Sequence, residues 1–201
     1  MQACRLCGGG TNAVSDRVYI RARRMIPILE TERLILREFR AADFEAFAAV
    51  YADEESARYI GGVSDRKDAW RRMAVYAGHW QLRGYGEWIL EGKADGLMKG
   101  WAGLWNPEGW LEPEIGWALV PAARGQGFAT EGAARARTYA YDVLGWTTAM
   151  SLVAMPNQAS IAVAERLGAR MERAFIFREV ETGIFRHPDK NGNLNFKRQP
   201  L

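Results

Sequence analysis

The chain has 201 residues and a mass of 22.6 kDa, the size of one ordinary domain, and its 48% hydrophobic and 25% charged residues are the balance of a folded globular protein. No apolar run approaches the roughly 20 residues that a membrane helix needs, which excludes a helical membrane span. The net charge of +3 is local: residues 1–24 hold five arginines against one aspartate, a net +4, while the other 177 residues hold 22 Lys+Arg against 23 Asp+Glu, a net −1, so the body offers no electrostatic footprint for nucleic acid.

The opening segment, residues 1–24, has a glycine triplet and no helical or strand period. Cys4 and Cys7 form a Cys-x-x-Cys, but tetrahedral zinc needs four ligands, and the only histidines, His79 and His187, lie far along the chain. No metal site is expected. The arginine-rich, acid-poor composition also suits an organelle transit peptide, but serine is scarce. A well-patterned strand follows Met25 at once, so the segment is expected to be a disordered extension or an upstream mis-assigned start.

Alternation of apolar and polar residues predicts a strand over Arg33 to Phe39. Helical spacing of Phe44, Phe47, Val50 and Tyr51 predicts a helix over Ala41 to Tyr51, with Asp43 in its first turn near the positive end of the dipole. A second helix, Asp65 to about Leu82, is capped by Ser64, with Trp70, Met73, Ala74, Ala77 and Trp80 on one side. The period then changes. Trp88 to Leu90 and Leu97 to Trp105 flank an Asp95-Gly96 hairpin signal, and Glu114 to Val120 makes a third strand closed by Pro121. Phe128 to Leu144 is a helix stopped by Gly145. Met150 to Met155 is a buried strand, Ser160 to Leu167 a helix ended by Gly168, and Met171 to Phe185 one or two strands. Without strict strand–helix alternation, the order implies one mixed, mostly antiparallel sheet of six to seven strands with helices on both faces, in residues 25–201.

The chemistry concentrates in Glu112 to Glu131, around Arg124-Gly125-Gln126-Gly127. With 21 glycines, chance alone gives about two Gly-x-Gly spacings, so the spacing by itself is weak. Context separates this one from Gly8/Gly10 and Gly84/Gly86: it follows a strand, opens a long helix and has an arginine beside it. Backbone N–H groups at such a turn point outward at the positive end of the helix, and missing Cβ atoms let a phosphate approach. Arg124 adds a fixed charge with fork geometry. A pyrophosphate cradle is one reading; a tight strand-to-helix turn with Arg124 as a solvated charge is the other.

Arg124-x-x-Gly127-x-Ala129 resembles the Gln/Arg-x-x-Gly-x-Gly/Ala signature of the GNAT superfamily of acyl-CoA N-acyltransferases. Glu30 to Arg37 (ETERLILR), Glu114 to Trp117 (EIGW), Asn157-x-x-Ser160 and Glu165 to Ala169 (ERLGA) resemble further motifs of its ribosomal-protein N-terminal acetyltransferase (RimJ/RimL) subgroup, in the right order over residues 26 to about 185. The resemblance implies an acyl-CoA N-acyltransferase fold and a cytoplasmic enzyme that moves acetyl from acetyl-CoA directly to a primary amine. A peptide or protein N-terminal α-amine is the leading acceptor, and a polyamine, amino acid or aminoglycoside the alternative. A non-catalytic CoA-binding domain also remains open, as does a homodimer.

By match to the family, pyrophosphate would sit on the backbone of Arg124, Gly125, Gln126, Gly127, Phe128, Ala129 and Thr130. The pantetheine arm would pair with the strand edge at Leu119 and Val120, where an N–H also serves the thioester oxygen, and with Asn157. Glu114 is the candidate general base, with an exposed strand carboxylate as the plain alternative and Glu112 as a reserve base or amine-binding acid. Ser160 either protonates the departing thiolate or caps a helix. His79 is expected on the surface of the second helix. The tryptophans are expected mostly in the core, with Trp105 or Trp117 walling the acceptor pocket.

Overall fold

The computed structural model describes residues 25–197; the extension expected for residues 1–24 lies outside the described residues. Its strands are β1 (Leu29–Glu30), β2 (Leu34–Arg37), β3 (Glu87–Gly92), β4 (Met98–Trp105), β5 (Glu114–Leu119), β6 (Met150–Ala154), β7 (Arg170–Phe177) and β8 (Val180–Arg186). Its helices are α1 (Phe44–Ala52), α2 (Glu54–Ala57), α3 (Arg66–Arg83), α4 (Phe128–Asp142) and α5 (Gln158–Arg166). They form one sheet in the order β1-β2-β3-β4-β5-β6-β8-β7, antiparallel throughout except for β5 against β6. The sheet has eight strands rather than six to seven. The two-residue β1 adds an edge, and the tail divides in two at Arg178 and Glu179, both at positive φ. No helix among the described residues is long and apolar enough to cross a membrane.

Alternation along the strands loads both faces. Leu34, Leu36, Trp88, Leu90, Ala102, Leu104 and Ile115 pack with Ala133, Ala136 and Ala140 of α4. Ile89 and Trp101, one residue out of phase, meet Phe47, Val50 and Tyr51 of α1 and Met73 of α3 on the other face. The small α4 alanines let that helix approach closely: a Cβ at Gly132 would come within 2.7 Å of Leu90. A third cluster joins Val153, Ala164, Ala169 and Phe185 under α5.

Helix ends account for several differences from the sequence reading. α3 is capped by Asp65, whose carboxylate accepts the Asp68 amide at 2.8 Å, and not by Ser64. Trp70 of α3 is 51% exposed, whereas Met73 and Trp80 are buried. Asp43 is buried and accepts two hydrogen bonds from the Arg37 guanidinium, at 2.8 and 2.7 Å, instead of serving the helix dipole at the surface. His79 is buried too, its Nδ1 2.7 Å from the Tyr85 carbonyl oxygen and its Nε2 accepting the Asn106 amide at 3.3 Å. Its place is inside, against Trp105, rather than on the helix surface.

Candidate active site

β5 and β6 are joined at one pair, Glu114 opposite Met150, and separate beyond it. The parting opens a cavity of about 1080 Å³ along the N-terminus of α4, the exposed edge of β5 and the start of α5. Leu119, Arg124, Gly125, Gln126, Gly127, Ala129, Thr130, Asn157 and Ser160 line it.

The glycine turn is built for backbone approach. Gly125 and Gly127 adopt φ of 73° and 83°, the left-handed region that a Cβ disfavours. Gly127 is the N-cap of α4, and no side chain caps that end, so the first-turn N–H groups are left for something else to satisfy. Gln126 donates to the Ala122 carbonyl at 2.8 Å, which closes the turn on itself. Phe128, whose backbone is expected in the cradle, turns its ring into the core under the Arg33 guanidinium. Arg124 already has partners, the Glu55 carboxylate at 3.0 Å and the Ser56 hydroxyl at 2.5 Å, both of which line the cleft. Arg58, which belongs to no matched motif, and Arg166, inside the ERLGA motif but given no role there, supply cationic side chains.

The edge of β5 is only half as expected. The Val120 N–H donates to the Lys99 carbonyl at 3.0 Å, inside the β4–β5 ladder. Antiparallel pairing alternates, so Leu119, opposite Gly100, turns its N–H and C=O away from β4 and toward the cleft. Leu119 rather than Val120 therefore presents the open backbone.

A second cavity of about 460 Å³ adjoins the first and shares Arg58, Tyr59, Ile60, Trp117, Asn157 and Ser160 with it. Trp105, Trp110, Trp117 and Phe177 form apolar walls, and Glu87 and Glu114 are among its acids. Glu114 is 8% exposed, so it is not a surface carboxylate. It accepts the Trp110 indole N–H at 2.7 Å and the Leu152 amide at 3.2 Å. Burial raises its pKa to about 7 against the lowering effect of those two donors. A carboxyl poised there exchanges a proton at neutral pH. Glu87 is pushed higher, to about 8, by burial and by the charge of Glu114. A carboxylate at the head of the apolar Glu87-Trp88-Ile89-Leu90 strand was the one visible sign of it in the sequence.

The other candidates are placed elsewhere or otherwise engaged. Glu112 pairs with the fully buried Arg186, whose guanidinium nitrogens lie 2.7 and 3.1 Å from its oxygens, and with Lys197 at 3.0 Å. Burial opposes ionisation of Glu112, yet those cations hold its pKa below the usual value. It is a structural counter-ion, and it does not line the pocket beside Glu114. Asn157, not Ser160, caps α5: its Oδ1 accepts the Ser160 amide at 3.1 Å. Ser151 and His187 are 2.8 Å apart but do not form a nucleophile pair. The Ser151 hydroxyl donates to the Ile115 carbonyl at 2.6 Å, so the His187 Nε2 must donate to Ser151.

Residues 33–170 match the family described as Acetyltransferase (GNAT) domain. The chain is 28% identical over 151 residues to the uncharacterized N-acetyltransferase YoaA of Bacillus subtilis (strain 168), covering 74% of this chain and 85% of that protein. An acetyltransferase crystal structure from Agrobacterium tumefaciens str. C58 superposes with a TM-score of 0.74 at 30% identity, over 86% of this chain and 98% of that one. RimL, a ribosomal L7/L12 alpha-N-protein acetyltransferase solved in complex with coenzyme A, shares the fold with a TM-score of 0.67 at 16% identity, over 80% of this chain and 97% of that one. Cleft, parted strands and family match agree: this chain belongs to the GNAT acetyltransferase family and is an acyltransferase.

Proposed function

We propose that the chain is an acetyl-CoA-dependent N-acetyltransferase that carries out direct transfer to a primary amine, with Glu114 as general base. The observation that carries this reading is Glu114 itself, a buried carboxyl with a pKa of about 7 on the wall of the smaller cavity. Acetyl-CoA supplies an acyl carbon activated as a thioester. The donors that fit its pyrophosphate are the uncapped N–H groups at the start of α4, with two left-handed glycines and a roomy cleft before them. The open backbone of Leu119 fits the extended arm, and its N–H serves as a donor to the thioester oxygen, where negative charge develops.

Glu114 takes a proton from the acceptor's ammonium, directly or through water, and the freed nitrogen lone pair forms the new N–C bond as the C–S bond breaks. Ser160 returns a proton to the departing sulfur, a role supported by its position on the wall of both cavities. Asn157 is fixed by its own cap and holds the arm beside it. No cysteine lies in the body, which agrees with transfer without a thiol acyl-enzyme.

For the acceptor, a cavity of about 460 Å³ with indole walls favours a small amine with an apolar body. A peptide α-amine is the second reading, supported by acidity: its pKa of about 7.7–8.0 is close to that of the proposed base, whereas a lysine near 10.4 is far from it. The test is release of free thiol from acetyl-CoA across a panel of small alkyl and aryl-alkyl amines and short peptides. Turnover with small amines supports the first acceptor class, and turnover confined to peptides the second. Acetyl-CoA binding without turnover on any amine would make the chain a non-catalytic CoA-binding domain.

A further inference from the structure

Glu87 heads β3 and is 5% exposed, and its Oε2 has no hydrogen-bond partner. Buried polar atoms in folded proteins are nearly always paired, because an unpaired one keeps its desolvation cost. The sheet makes room for this carboxyl deliberately. Glu87 stands opposite Gly103 on β4, and Gly103 stands opposite Gly116 on β5. A Cβ at Gly103 would fall 2.4 Å from the Glu87 Cα, and a Cβ at Gly116 would fall 3.0 Å from its Oε1. The side chain thus reaches across the two glycines and ends over Gly116, on the same face as Glu114 two residues away. Both carboxyls line the smaller cavity. Arg58 and Arg178 also line it, but as exposed side chains at its rim.

The two acids are equipped differently. Both Glu114 oxygens accept protein donors, which fixes its direction, whereas the Glu87 Oε2 accepts none. Two buried carboxylates on one pocket oppose each other's ionisation, and a cation between them relieves that.

We propose that Glu87 is an acceptor-recognition residue, and that the acceptor carries two amines on a short apolar spacer, one held by Glu87 while the other is presented to Glu114. This rests on the acetyl-transfer reading above. Charge and protons balance: Glu87, which burial keeps protonated near neutral pH, releases its proton to solvent as one ammonium docks on it, that amine stays an ammonium against the ionised carboxylate, and the reacting ammonium passes its proton to Glu114. An ammonium brings three donors to a carboxyl whose Oε2 no protein donor reaches, and the aromatic walls tolerate a cation.

The test compares 1,4-diaminobutane with butylamine on the full-length chain, in wild type, Glu87→Met and Glu87→Gln. Two readouts are used: kcat/KM from thiol release, and calorimetric binding of each amine to the CoA-saturated protein. The wild type is expected to prefer the diamine by about tenfold or more, the scale of one charge-assisted hydrogen bond. Both variants are expected to lose that preference to within about twofold, and to melt no lower than wild type. A diamine preference that survives in both variants, or a wild type indifferent to the second amine, overturns the proposal. If no amine is acetylated yet the diamine binds in a Glu87-dependent way, the transfer reading fails and the recognition role stands.

Discussion

The Arg33 guanidinium donates to the main-chain oxygen of Gln126 at 2.9 Å, across 93 residues of sequence. The same side chain donates from Nε to Glu131 of α4 at 2.7 Å, and the Thr31 hydroxyl donates to the same carboxylate at 2.6 Å. Burial alone would raise the Glu131 pKa, but these donors together hold it below its usual value. The segment entering β2 therefore clamps the glycine turn from behind. Arg33→Ala should weaken acetyl-CoA binding several-fold. It should cost less than about 1 kcal/mol of stability, because the Arg33 side chain is 45% exposed and such pairs are solvent-screened. Calorimetric titration with CoA, alongside thermal melting, separates the two effects. Equal affinity in wild type and variant would show that the turn holds its shape unaided.

Gly127 offers a sharper test of the cradle. Its φ of 83° and its position at the open end of α4 mean that a valine there both strains the backbone and covers the N–H groups. Gly109, at φ 75° with open space around it, provides the control, because a side chain there is strained without reaching the cleft. Gly127→Val should lose CoA binding by at least about a hundredfold, whereas Gly109→Val should bind normally despite about 1–2 kcal/mol of strain. Comparable losses in both variants would mean that backbone strain and not coverage is responsible.

Much of this architecture is legible in residue periods, because α1 and α4 each turn a periodic apolar stripe to the sheet and the central strands β3 and β4 are apolar runs buried on both faces. The turn between β7 and β8 was not. It uses Arg178 and Glu179 at positive φ, where turn chemistry favours glycine or asparagine, so the tail looked like one strand or two. The acids were harder still. Local spacing makes Glu112 a reserve base or amine-binding acid, but its partner Arg186 is 74 residues away and invisible to local spacing. Glu87 belongs to no motif, and it reaches the pocket only because Gly103 and Gly116 lie beside it on two other strands.

Glu114 sets the pH dependence of transfer. Its carboxyl must be ionised to accept a proton, so activity should fall as pH drops through about 7, where burial has placed its pKa. An unperturbed glutamate would hold the rate down to about pH 4.3. Glu114→Gln should remove this acidic limb and lower kcat by about 10²–10⁴-fold, with CoA affinity unchanged. Pre-steady-state thiol release over pH 5–9 reads this directly, and an acidic limb that persists in the variant would assign it to another group.

His187 makes a separate prediction about stability. Burial, with the charges of Arg137 and Arg186 added, lowers its pKa from 6.5 to about 3, so the folded protein holds it neutral. Between those values the unfolded chain binds a proton that the folded chain refuses. The contribution of His187 is therefore complete above about pH 6.5 and is lost as pH falls toward about 3. Glu87 and Glu114 act in the opposite sense: their folded pKa values lie above the unfolded ones, so they favour folding at low pH and oppose it as pH rises through 7 and 8. The wild-type stability curve mixes the two and will look flatter than either. The difference between wild type and His187→Gln isolates the histidine, since both proteins share the same glutamates. From denaturant unfolding at pH 6, 5 and 4, that difference should shrink by up to about 1.4 kcal/mol per pH unit. A constant difference would mean that His187 takes up a proton in the folded state, and the Nε2–H to Ser151 arrangement would have to be redrawn.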